Sequence, residues 1–215
     1  MKSLKKITKY SYFIILNIIV IFININVFNS VNAGPKNDDL KEIEICCTWG
    51  EALDDGILTF KITNVKPVIK HVVKAAFYDW EQKIKQIKFQ EADYNEKADI
   101  TISFGSDNGK VAGQTITNFD SNGFIYSTKI FLAEKAFTKK LTNNLIEYLA
   151  KHEIGHALGL GHANFDDSLM SSLVYNINKK IDRCEIEALK EANNWKLVDN
   201  SSFPKLSKNK YYVCN

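Results

Sequence analysis

The chain has 215 residues, 45% of them hydrophobic and 25% charged, with a formal net charge of +3. That length suits one domain plus a processing segment, with no internal repeat or low-complexity domain. Lys2, Lys5, Lys6 and Lys9 lie in the first 33 residues, which hold no acids, and taking these four from 28 leaves 24 basic residues against 25 acidic. The positive balance therefore belongs to the first segment and carries no argument for a nucleic-acid partner. A single arginine, Arg183, excludes an arginine-lined phosphate or carboxylate cleft.

Residues 1–33 read as a signal peptide. The four lysines form a basic n-region, Tyr12 to Ile23 an apolar h-region, and Val31-Asn32-Ala33 ends in a small residue suited to cleavage. The apolar run is short for a membrane span, with an uncleaved N-terminal anchor as the alternative. Residues 34–48 then form a short N-terminal segment, 49–198 the main domain and 199–215 a C-terminal tail. Cys46, Cys47, Cys184 and Cys214 all follow residue 33, and an even count in an exported chain favours disulfides. A bond between the neighbours Cys46 and Cys47 is strained. That leaves their two pairings with Cys184 and Cys214, either of which ties the N-terminal segment to the last helix and tail.

Along the main domain the order is α+β. Residues 58–63 alternate as a strand, and Pro67 sits in the first turn of a helix running to about Gln86. Ile69, Val72, Val73, Ala76, Tyr78, Trp80 and Ile84 give that helix a broad apolar stripe, expected in the core. Residues 87–91 and 99–104 read as strands, and Ser106-Asp107-Asn108-Gly109 breaks the chain before a strand over 113–119. Asp120-Ser121-Asn122-Gly123 is a turn, after which 124–132 returns antiparallel. Thr142 opens a long helix carrying Leu145, Ile146, Tyr148 and Leu149. Asp182 caps a last helix to about Trp195, with Ile186, Leu189, Ala192 and Trp195 on one face. Asn200-Ser201-Ser202 is a formal glycosylation sequon.

The long helix runs into His152-Glu153-Ile154-Gly155-His156-Ala157-Leu158-Gly159-Leu160-Gly161-His162, the pattern H-E-x-x-H-x-x-G-x-x-H, which holds three of the chain's four histidines. His152 and His156, four apart on a helix, point from one face and can share a metal. Glu153, one step around, can reach a metal-held water without being a ligand. His162 would lie ~9 Å further along a straight helix and ~120° out of phase, so the chain must turn first. Gly159 is placed for that turn, because glycine accepts positive φ. Three imidazoles would then surround a zinc with one position open.

This motif, with Met170 eight residues after His162, resembles the metzincin clan of zinc proteases. In that clan such a methionine lies in a tight turn beneath the zinc and packs against the ligands. Within the clan the chain looks like a matrixin. Leu169-Met170 matches the matrixin form of the turn, and Ala163, after the third histidine, is small like the usual matrixin serine. Trp49 with residues 57–62 looks like the opening tryptophan and first strand, Ala75, Ala76 and Trp80 like part of the first helix, and residues 98–105 like the third strand. The resemblance runs from about Trp49 to Trp195. The vertebrate matrixins' second, structural zinc site needs three histidines and an aspartate, and only His71 remains, so one zinc is expected. Their P-R-C-G propeptide switch is missing too, which makes the compact matrixin-like peptidases of prokaryotes the nearest forms. Calcium is compatible with the chain but not indicated by it.

The resemblance implies a zincin-like domain: a twisted, mixed five-stranded sheet with an antiparallel edge strand, an active-site helix and a C-terminal helix. It implies a secreted, monomeric, zinc-dependent endopeptidase, with Glu153 as general base and His152, His156 and His162 as ligands. An extended polypeptide substrate would add to the edge strand at Gly113, Gln114 and Thr115. Leu173, Val174 and Tyr175, just past Met170, would wall a pocket for an apolar side chain. No nucleic acid and, after signal cleavage, no membrane is expected as partner. Two rivals remain at this level: an exported zinc protein that binds peptides without cutting them, with or without a membrane tether, and a latent form in which Cys46 or Cys47 caps the zinc.

Overall fold

The computed structural model describes residues 40–93, 95–105, 112–136, 139–174 and 176–214. The expected signal peptide, the 106–109 break and Tyr175 lie outside them. In chain order the elements are β1 (Glu42–Ile45), a short 3-10 turn (Glu51–Leu53), β2 (Ile57–Thr63), α1 (Pro67–Ile84), β3 (Lys88–Glu91), β4 (Ile100–Gly105), β5 (Gly113–Phe119) and β6 (Ile125–Ala133). There follow the small hairpin β7 (Lys135–Ala136) and β8 (Lys139–Lys140), then α2 (Asn143–Ala157), β9 (Leu160–Ala163), α3 (Arg183–Ala192), α4 (Asn194–Leu197) and β10 (Tyr211–Val213).

The main sheet has the order β3-β2-β4-β6-β5. The pairs β2–β3, β2–β4 and β4–β6 are parallel, and β5 returns antiparallel along β6 as the edge. This is the mixed five-stranded sheet implied by the resemblance. Strict alternation of buried and part-exposed residues in β2 and β4 sends Leu58, Phe60, Ile62, Ile100, Ile102 and Phe104 to one face. That face carries α1 and α2. Phe77 of α1 stacks on Phe60 at 4.3 Å, a geometry worth ~0.5–1.5 kcal/mol beyond the buried area. Trp80 Nε1 donates to Lys151 O at 2.9 Å, joining α1 to α2.

The stripe on α1 needs one correction: Tyr78 is 60% exposed, while its neighbour Phe77 is buried. At 100° per residue, position 78 lies about 200° from the buried Trp80 and faces solvent. The last helix is also broken where a single helix was expected. Asn193 takes φ −120° and ψ 39°, and α4 starts afresh at Asn194.

A second, three-stranded sheet has the order β10-β1-β9. It pairs part of segment 34–48 with part of tail 199–215 and with the strand just after the active-site helix. Its register overturns the expected disulfide pairing, since the structure joins Cys46 to Cys47 and Cys184 to Cys214. Antiparallel pairing of Glu42 with Val213 sets Cys214 opposite Lys41, whose carbonyl accepts the Cys214 N–H at 2.7 Å. Cys46 is five residues further along β1, ~17 Å away at 3.4 Å per residue, and beyond the ~7 Å Cα reach of a disulfide. Cys184, at the start of α3, has its Cα 5.4 Å from that of Cys214.

Candidate active site

Helix α2 begins as its sequence directs, with Thr142 Oγ1 accepting the Leu145 N–H. It ends at Ala157, and Gly159 takes φ +103°. A Cβ at Gly159 would lie 2.3 Å from Cys47 O, so only glycine fits this turn. The carbonyls of residues 157–159 all find donors. Ala157 O accepts from Trp49 Nε1 at 2.9 Å and Leu158 O from Asn193 Nδ2 at 2.9 Å. Gly159 O accepts the N–H groups of Cys46 and Cys47 at 2.9 and 3.2 Å. The chain then enters β9, which carries His162 back toward the helix.

His152, His156 and His162 each bring one ring nitrogen to within 4.8 Å of the other two. His152 Nδ1 lies 2.7 Å from Leu169 O and His156 Nδ1 2.9 Å from Leu160 O. Those carbonyls require the proton on Nδ1, which leaves both Nε2 atoms as lone-pair donors. The two Nε2 atoms are 3.0 Å apart. Two lone pairs so close repel unless a cation lies between them, and the edge of a tetrahedral zinc site is ~3.4 Å. The donor set therefore fits zinc. Burial lowers the pKa of all three rings, that of His152 to about 4, which keeps the imidazoles neutral as ligation requires. At His162 burial is partly offset by Glu44 of β1, whose side chain lies over Gly161.

Glu153 is buried beside the triad. Burial pushes its carboxyl up to about 7, and a hydrogen bond from Thr115 Oγ1 to Oε2, 2.7 Å, opposes that rise. Gly113 lies against the same group, since a Cβ there would sit 2.5 Å from Glu153 Oε1. Gly113 and Thr115 thus meet Glu153, whereas strand alternation sends the intervening Gln114 to the other face of β5. Met170 is wholly buried against α2, where a Cβ on Gly155 would meet its Sδ at 2.5 Å. Leu173 and Val174 follow in the next loop, 47% and 50% exposed. His71 stands exposed on α1, away from any metal-holding group found among the described residues.

Three contributors were not anticipated. Glu185 is fully buried under the methionine turn, where Oε1 accepts from Ser168 Oγ at 2.6 Å and Leu169 N at 2.9 Å. Because Leu169 O meets His152 Nδ1, Glu185 supports that imidazole from one peptide away. Its signal was present: Asp182-x-x-Glu185 is a capping box, and Oε2 accepts the Asp182 N–H at 3.1 Å. Asn193, fully buried, joins the Trp49 N–H to Leu158 O. The Thr115 hydroxyl is the third.

Human matrix metalloproteinase-19 is 30% identical over 128 residues, which span 53% of this chain and 24% of that protein. The chain thus matches about a quarter of that relative's length. Among solved structures, archaemetzincin from Methanopyrus kandleri aligns with a TM-score of 0.45 at 14% identity, covering 64% of this chain and 94% of that one. Myroilysin aligns with a TM-score of 0.45 at 12% identity, covering 63% and 79%. The peptidase family model described as Matrixin matches residues 49–191. That span is more than half of the chain and takes in the three histidines, Glu153 and Met170, so the chain belongs to the matrixin family.

Proposed function

We propose that the chain is a zinc-dependent endopeptidase. The observation that carries this reading is the convergence of three imidazoles beside a buried carboxyl, at the edge strand of the sheet. His152, His156 and His162 would hold the zinc, and a bound zinc supplies Lewis acidity that polarises a carbonyl and acidifies water. Glu153, buried beside the triad with Oε2 engaged by the Thr115 hydroxyl, takes the proton of the attacking water and returns it to the departing amine nitrogen. An extended peptide finds its backbone partners along β5, whose outer edge pairs with no other strand among the described residues. Leu173 and Val174 offer apolar contact past the methionine turn. Gln114, facing away from Glu153, can touch a substrate only from the outer side.

We also propose that the protein acts outside the cell as a monomer. The basic and apolar start of residues 1–33 and the two cystines support export. No helix among the described residues is long and apolar enough to cross a membrane. Sequencing of the protein recovered from the medium tests this, with Gly34 expected first; an intact chain held in the membrane fraction refutes it.

Replacing Glu153 by Ala tests the catalytic reading. The variant should keep its zinc and fold while cleavage of a denatured protein substrate slows by ~10²–10⁴-fold. Equal cleavage by both proteins removes Glu153 from the role of base. A zinc-loaded wild type that cuts no member of a broad peptide set turns the reading to a peptide-binding protein.

A further inference from the structure

We propose that Thr115 is a positioning residue for the proton transfer at Glu153, an inference that rests on the endopeptidase reading. As part of β5 its backbone would pair with a peptide, but its side chain turns inward. Thr115 Oγ1 lies 2.7 Å from Glu153 Oε2 and 3.1 Å from Glu153 O, so the hydroxyl spans the carboxylate and its own main chain. Its single proton goes to the nearer and charged acceptor.

The donated bond engages Oε2 and leaves Oε1 to exchange protons. Oε1 is the atom pressed toward Gly113, with the Glu153 Cγ and Cδ at 2.9 and 3.0 Å from where a Cβ would stand. The carboxylate is therefore held between two residues of one strand: the bare backbone of Gly113 on one side and the hydroxyl of Thr115 on the other. In the reaction Oε1 receives a proton from water and gives it to the amine nitrogen, while the Thr115 proton stays on Oγ1 throughout. Neutral or ionised, Glu153 offers Oε2 as an acceptor, and Thr115 has no need to turn during the cycle. The strand that registers the peptide thus also fixes the base, and one element sets both halves of the reacting geometry.

Thr115→Val and Thr115→Ser decide the matter. Val keeps the shape and loses the hydroxyl; Ser keeps the hydroxyl and loses a methyl. With zinc content equal, Val should lower kcat roughly 10–100-fold, the loss expected for one hydrogen bond to a charged group, with KM little changed. Ser should restore most of the rate. In crystals of the metal-free protein, Val should free the Glu153 carboxylate from its place against Gly113, and Ser should hold it there. Should Val fail to fold, Thr115→Ala carries the same expectation. The proposal is overturned by a Val variant as fast as the wild type, by Val and Ser equally slow, by a loss confined to KM, or by a carboxylate that stays put in Val. A wild type that cuts no peptide defeats the endopeptidase reading instead, and the crystals still answer for Thr115.

Discussion

Asn193→Ala should be among the most damaging single polar substitutions in the chain, although Asn193 touches neither metal nor substrate. Its side chain accepts the Trp49 N–H at 2.9 Å and donates to Leu158 O at 2.9 Å, wholly out of contact with solvent. Alanine leaves both backbone groups without partners where water cannot reach. Each such orphan costs about 1–3 kcal/mol, so the pair costs about 2–6 kcal/mol. Leu189 O is spared, because it still accepts the Asn193 backbone N–H at 3.1 Å. A domain of this size loses about 2–4 °C of Tm per kcal/mol, which gives a fall of roughly 4–24 °C. Thermal unfolding of wild type and variant by circular dichroism, each with saturating zinc, reads the difference. A fall below about 2 °C would show that the end of α2 does not depend on this side chain, and the account of its carbonyls would be wrong.

Two further outcomes follow from named contacts. Gly155→Ala places a Cβ 2.5 Å from Met170 Sδ and 3.3 Å from Trp80 Cζ2. The overpacking, about 1–3 kcal/mol, outweighs the gain of about 1 kcal/mol in helix propensity, so the variant should be less stable and lose zinc to a chelator sooner; a stabilised variant refutes this. At Glu185, burial, reinforced by neighbouring Asp182, pushes the carboxyl from 4.5 up to about 7. Between those values the native state keeps a proton that the unfolded chain has released, so this group's contribution to stability falls as pH rises through the window. The stability of wild type relative to Glu185→Gln should decline from pH 4.5 to 7 in urea titrations, and a difference constant with pH would sink the argument.

The metal triad was legible because its geometry is local. Four-residue helical spacing places His152 and His156 together, and Gly159 marks where the helix must stop. Thr142, Pro67 and Asp182 were legible for the same reason, since caps and first turns depend on nearest neighbours. The contact between Thr115 and Glu153 was not, because it depends on how a sheet edge docks on a helix 38 residues later. Asn193 and Glu185 are polar, so they read as a solvent face; only burial with fully used hydrogen bonds reveals them as interior. Glu42-Ile43-Glu44-Ile45 carries a readable alternation, but a four-residue strand has no partner in sight until β9 and β10 are placed. That missing sheet is also why the cysteine pairing went astray. Local strain was weighed against Cys46–Cys47, while the distance that separates them from Cys214 is set by long-range register.

The order in which the chain is made gives the β10-β1-β9 sheet a temporal meaning. Strand β1 is among the first elements synthesised, and its outer partner contains residue 213. At about 5–20 residues per second, some 10–30 s separate the two during translation. For the last ~3–10 s of that interval, after β9 (Leu160–Ala163) has been made, the strand bearing His162 has only β1 to lean on, and the outer edge of β1 still awaits β10. Closing so long a loop also costs more chain entropy than any local pairing. Firm seating of the third histidine of the triad is therefore a late event in the life of each molecule. The nascent chain passes its first seconds without a rigid site, before any metal-dependent chemistry could begin.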